Sequence, residues 1–135
     1  MFWECSSLED LNLNNFNTNN VKDMSWMFCG CKSLKKLNLS DFNTDKVTDM
    51  ESMFTHCSSL NELNISNFNF KNVVNMRYMF RGCRSLNDLN IPNFDTIICN
   101  KIIIGMFYNC SDELRDKIKN KYKNINEAVF NYLFK

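Results

Sequence analysis

Cys5, Cys31, Cys57 and Cys83 recur at one constant interval, and a thiol returning at a fixed interval suggests three chemistries: disulfide formation, metal ligation or redox exchange. If each unit stacks on the next, Cys31 and Cys57 come roughly within disulfide range. A zinc site wants four converging ligands, often as closely spaced cysteine pairs, whereas a linear column gives each thiol two neighbours. Cys29-x-Cys31 lacks the spacing of a thioredoxin-like centre. The chain has 7 cysteines, an odd number, so at least one is unpaired within a monomer. The reading that fits the column best is a small hydrophobe filling one interior position per unit. We therefore expect no metal and no cofactor.

Acid–base chemistry has one histidine to draw on, His56. The equivalent positions hold Glu4, Gly30, Gly82 and Asn109. Gly, Asn and His tolerate positive φ, so the position reads as a left-handed residue closing a short helix rather than as a catalytic base. Ser66 and Ser85 belong to the repeat and form no recognisable triad. No catalytic residue is assigned, and the chain reads as non-enzymatic.

The elements that would position these side chains follow from the period. Leu8, Leu34, Leu60 and Leu86 are in register, as are Leu11, Leu37, Leu63 and Leu89. So are Leu13, Leu39, Ile65 and Ile91, and Phe16, Phe42, Phe68 and Phe94. A period of this length implies stacked units that bury their apolar faces against one another. Leu34-x-x-Leu37-x-Leu39 ends in strand-like alternation, and Val47-x-x-Met50-x-x-Met53-Phe54 has the spacing of one helix face. The expected fold is an α/β solenoid of the leucine-rich-repeat type, with about four 26-residue coils over residues 1–110. Each coil is a parallel strand plus a short helix. Strands stacked at about 4.8 Å under helices about 10 Å wide would curve the stack, with the sheet on its concave side.

The phrase from Ser33 to Thr44 followed by Val47 to Phe54 resembles the 26-residue repeat of bacterial surface proteins, the BspA-like branch of the leucine-rich repeats. The resemblance covers residues 1 to about 110. It implies a surface or secreted protein that binds host or matrix proteins in adhesion. Fold-level likeness does not by itself name a ligand.

The ends depart from the pattern. Met1-Phe2-x-x-Cys5 matches Met27-Phe28-x-x-Cys31, so the chain begins mid-repeat and reads as an N-terminally truncated array. The uncapped first coil could associate with another chain. Met1 to Cys5 carries no secretory signal. Pro92 falls in the fourth strand, where a missing N–H suits a sheet edge. The interval from Phe94 to Cys110 is one residue longer than that from Phe68 to Cys83, placing Cys99 and Ile102 near the positions of Val73 and Met76. In residues 111–135, Leu114, Ile118, Tyr122, Ile125, Val129 and Leu133 form a helical stripe, read as a C-terminal helical cap with a possible break near Asn124.

Surface chemistry then points to binding. Asn12, Asn38, Asn64 and Asn90 alternate with inward Leu/Ile positions and should face out on the concave side. They form either an inter-coil amide ladder or a polar binding strip. Beside them, Asp10, Lys36 and Glu62 alternate in sign, and Asp88 breaks the alternation. These eight residues are the candidate partner-binding face. Trp26 and Tyr78 match across Ser52 on the outer side, and Arg77, Arg81 and Arg84 make a small basic patch. A net charge of +1 excludes a basic nucleic-acid footprint. No run of about 18 apolar residues suggests membrane insertion. The expected function is a non-catalytic protein-binding scaffold at the cell surface. The alternative is a cytoplasmic protein–protein interaction or assembly module.

Overall fold

The computed structural model describes residues 1–94 and 102–132. Cys99 and Leu133 lie outside the described residues. The elements wholly within them are two three-residue strands, β1 (Lys36–Asn38) and β2 (Glu62–Asn64), one helix, α1 (Asp112–Lys121), and a 3-10 turn over Glu127–Val129. This overturns the expected leucine-rich-repeat-like solenoid of about four strand-plus-helix coils. β1 and β2 pair in parallel, with Lys36 opposite Glu62, Leu37 opposite Leu63 and Asn38 opposite Asn64. Residues 10–12 and 88–90 have the same pattern, yet among the described residues no backbone hydrogen bond joins them to this sheet. The sheet therefore stops before the segment that holds Pro92.

The segments expected to be helices fail for a physical reason. Trp26, Ser52 and Tyr78 have φ of 59°, 55° and 55°, and Gly30, His56 and Gly82 have φ of 79°, 60° and 72°. Two left-handed residues per segment break any α-helix. Met27 N–H donates to the Met24 carbonyl and Cys31 N–H to the Phe28 carbonyl, three residues back. Positive φ at the third residue of such a turn is the type II signature. Between these turns, the N–H groups of Met24, Trp26, Phe28 and Gly30 donate forward to the carbonyls of Asp49, Glu51, Met53 and Thr55, at 2.8–2.9 Å. The next segment repeats the pattern, from Met50, Ser52, Phe54 and His56 to Asn75, Arg77, Met79 and Arg81. Every N–H is satisfied, alternately by a turn and by the neighbouring unit. The position of His56 is left-handed as expected, although it closes a turn and not a helix.

The interval thus registers in the backbone through bridges Asp23↔Asp49 and Asp49↔Asn75, followed by Asn75↔Ile102. The last is one residue longer, so Ile102 matches Asn75 rather than Met76. Accordingly Ile102 is exposed, and Ile103 is the buried counterpart of Met76.

Packing follows this register. Phe2, Phe28, Phe54, Phe80 and Phe107 stack with centroids 5.5–5.7 Å apart and planes within 8° of parallel. Phe28, Phe54, Phe80 and Phe107 are fully buried. Each such ring contact adds about 0.5–1.5 kcal/mol beyond area burial, against about 1–2 kcal/mol for each left-handed non-glycine residue. Thr18 and Thr44 are buried because each hydroxyl joins the next unit. Thr44 Oγ1 donates to the Asn69 carbonyl at 3.1 Å and accepts from Asn69 N–H at 2.7 Å.

At the other end, Ser111 caps α1 by accepting from Leu114 N–H at 3.1 Å. Leu114 and Ile118 bury the helix face; Tyr122, Val129 and Phe130 are buried after it. The helix ends at Lys121, before the break anticipated near Asn124. The 3-10 turn then serves the last Met-Phe segment: Gly105 and Phe107 N–H donate to the Ala128 and Val129 carbonyls, at 2.8 and 2.7 Å. Among the described residues, no helix is long and apolar enough to cross a membrane.

Candidate functional site

The two strands and the segment after Leu86 enclose an open groove of about 570 Å³. Lys36, Asn38, Glu62, Asn64, Asp88 and Asn90 line it, with Leu37, Leu63 and Leu89 as its floor. Alternation along each strand produces this arrangement, since residues either side of an inward leucine point the other way. Asp10 and Asn12 are exposed but are not part of the lining, so the structure brings together six of the eight expected residues. Asn61 joins the wall, although the repeat does not single it out.

The asparagines have a local task. Asn12, Asn38 and Asn64 Oδ1 accept from the N–H of Asn14, Ser40 and Ser66, at 3.0–3.1 Å. These are Asx turns that end each extended segment, not the amide ladder between units. Among the described residues, the carboxamide nitrogens of Asn38 and Asn64, both in the groove lining, form no hydrogen bond. Pro92 has no N–H, so Asn90 lacks the donor that Ser40 and Ser66 supply. Similar turns recur at Asn17, Asn43 and Asn69, and at Asp23, Asp49 and Asn75. Seven of the chain's 23 asparagines accept in these turns.

The charged column pairs as its signs require. Lys36 Nζ lies 2.6 Å from Glu62 Oε1. Asp88, which would face Glu62 across the next unit, has Lys117 Nζ at 3.9 Å, and Lys117 also bonds Glu113 at 3.0 Å. The helix thus contributes a cation to the groove's end. The Glu113/Lys117 spacing marks an i,i+4 pair, but only the docking of α1 reveals the contact with Asp88. All these pairs are well exposed, so solvent screening leaves each a small contribution.

The cysteine column is structural. Cys31, Cys57, Cys83 and Cys110 are buried free thiols. Each Sγ–H donates to a phenylalanine carbonyl of the preceding unit: Phe2, Phe28, Phe54 and Phe80, at 2.9–3.2 Å. Burial pushes the Cys31 thiol up to about 11, helped by Cys5 nearby, and the Cys110 thiol up to about 12. Burial likewise raises the Cys57 and Cys83 thiols. These thiols are hydrogen-bonded filler, far from the thiolate state that nucleophilic or redox chemistry needs.

On the outer side Trp26 is exposed, while Ser52 between it and Tyr78 is buried. Arg81 does not extend into solvent with Arg77. Its guanidinium lies 4.7 Å from the Tyr132 ring and 5.7 Å from Tyr78 and Tyr108.

Comparison with known proteins gives one match. The profile of DUF285, described as a Mycoplasma protein of unknown function, covers residues 1–128. No curated protein matches the chain. No solved structure does either. The chain, whose 26-residue repeat lies within the matched region, belongs to the DUF285 family of bacterial repeat proteins.

Proposed function

We propose that this chain is a non-catalytic scaffold that binds a protein partner along the groove over β1 and β2. The supporting observation is the groove itself. It presents the outward carboxamides of Asn38 and Asn64 and the charges of Lys36, Glu62 and Asp88 above an apolar floor. Amides bound at their oxygen and open at their nitrogen suit recognition of backbone carbonyls or carboxylates. Resemblance to BspA-like surface proteins favours adhesion to host or matrix proteins, and membership of DUF285 fits a surface setting. The test places a photo-crosslinking amino acid at position 64 and, on another face, at exposed Val74. Intact cells are then exposed to matrix proteins. Crosslinks from position 64 that vanish in Asn38→Ala/Glu62→Lys support the reading. Equal yields from both positions refute the groove. Protease shaving of intact cells tests the setting. Peptides retained until lysis favour an intracellular interaction module instead.

A further inference from the structure

A second concavity lies on a different edge, where successive turns end. It has a volume of about 330 Å³ and is lined by Lys32, His56, Ser58, Gly82 and Arg84. The register explains its composition. Lys32, Ser58 and Arg84 occupy the same position of the repeat, so two cations flank a hydroxyl across three consecutive units. His56 turns toward the same space because Gly82 leaves room for it. A Cβ at Gly82 would stand 2.7 Å from His56 Nδ1. No carboxylate lines the notch. Among the described residues, neither Lys32 nor Arg84 forms an ion pair.

We propose that this notch binds a tetrahedral oxyanion, a phosphate or sulfate group, between Lys32 and Arg84, with His56 and Ser58 at its base. Positive charge concentrated in a concave site and uncompensated by acids attracts a dianion. Arginine supplies a planar fork of donors, and lysine a mobile point charge. Burial holds the His56 pKa below its ordinary value, and the facing cations Arg81, Arg84 and Lys32 lower it further. A bound dianion reverses that balance, so it favours the imidazolium. Binding therefore tightens as pH falls through the His56 titration. A rise of one unit in that pKa corresponds to about tenfold tighter binding to the protonated form.

The test is an NMR titration of the full chain with sulfate, which stays a dianion from pH 5 to pH 8. Expected are saturable shifts of the His56 ring signals, a raised His56 pKa, and affinity about tenfold higher at the acid end. Lys32→Ala/Arg84→Ala should abolish saturation. Both side chains are exposed, so the fold persists, and the amide spectrum verifies this. His56→Asn should keep binding but lose its pH dependence, because asparagine already occupies this left-handed position at Asn109. Inorganic phosphate compared with sulfate at pH 8 identifies the preferred source, and saturation by either sustains the proposal. Failure of both ions to saturate at pH 6, or shifts that persist undiminished in the double variant, overturns it.

Discussion

Phe54 stands at the middle of the phenylalanine stack, with Phe28 at 5.7 Å and Phe80 at 5.5 Å, each plane tilted 2° from its own. It is fully buried. Phe54→Leu keeps most of the apolar volume but removes two ring contacts, together about 1–3 kcal/mol. Phe54→Ala also opens a cavity, and the total falls at about 3–5 kcal/mol. A domain with about 5–15 kcal/mol of stability would survive the first change and be marginal after the second. Phe16→Leu is the control. Phe16 is 36% exposed and has one stacking partner, Phe42, at 6.3 Å, so its loss should stay under about 1.5 kcal/mol. Urea denaturation followed by circular dichroism measures all three, with an unchanged slope showing that the midpoint alone moved. If Phe54→Leu costs no more than Phe16→Leu, the stack is geometry without energy and the argument from it fails.

Three further perturbations test the rest. Leu37→Asp should abolish folding, since Leu37 is 3% exposed and an unpaired charge there has no partner. Leu63→Asp should be milder because that residue is only partly buried, and equal solubility and melting of the two would contradict the burial order. Maleimide should label exposed Cys5 under native conditions and spare Cys31, Cys57, Cys83 and Cys110 until denaturant is added. For these raised thiols, the folded state favours S–H, so their contribution is intact below the unfolded value of 9.0 and is lost as pH rises toward about 11 for Cys31 and about 12 for Cys110. Melting temperatures that stay flat from pH 8 to pH 11 would refute that linkage. Asn64→Ala should cost about 1 kcal/mol through the Asx bond to Ser66. A melting curve identical to wild type would leave that asparagine free for a binding role alone.

The inward columns were legible in the sequence because burial depends on spacing, and any backbone that repeats with the period of the sequence puts Leu34, Met50 and Phe54 inside. Backbone type was not. Apolar steps of three and four at Val47, Met50, Met53 and Phe54 suit consecutive turns as well as a helix. The deciding residues, Trp26, Ser52 and Tyr78, are of types that do not advertise positive φ; only Gly105 hints at it. Strand length was also hidden, since the alternation in each unit covers too few residues to say whether hydrogen bonds close. In the groove, the outward direction of Asn38 and Asn64 followed from Leu37 and Leu63. The approach of Lys117 to Asp88 required the docked helix.

The forward donation between segments has a consequence for how such a chain can change length. The N–H groups of Met24 to Gly30 donate forward to the next unit while Thr48 and Val74 N–H donate back to the Lys22 and Thr48 carbonyls, so each joint pairs unlike faces, is head-to-tail and has no built-in closure. The Met24–Gly30 and Met50–His56 joints repeat the same bonds, so duplication of one complete repeat between them would preserve both faces without inventing a new contact. A single-residue insertion has no such freedom. The one in this chain falls between Phe94 and Ile102, after which bridging resumes at Ile102 and phenylalanine stacking at Phe107. Length in this architecture is quantised by the register of the bridges, and the pairing of Asn75 with Ile102 re-establishes that register one residue late.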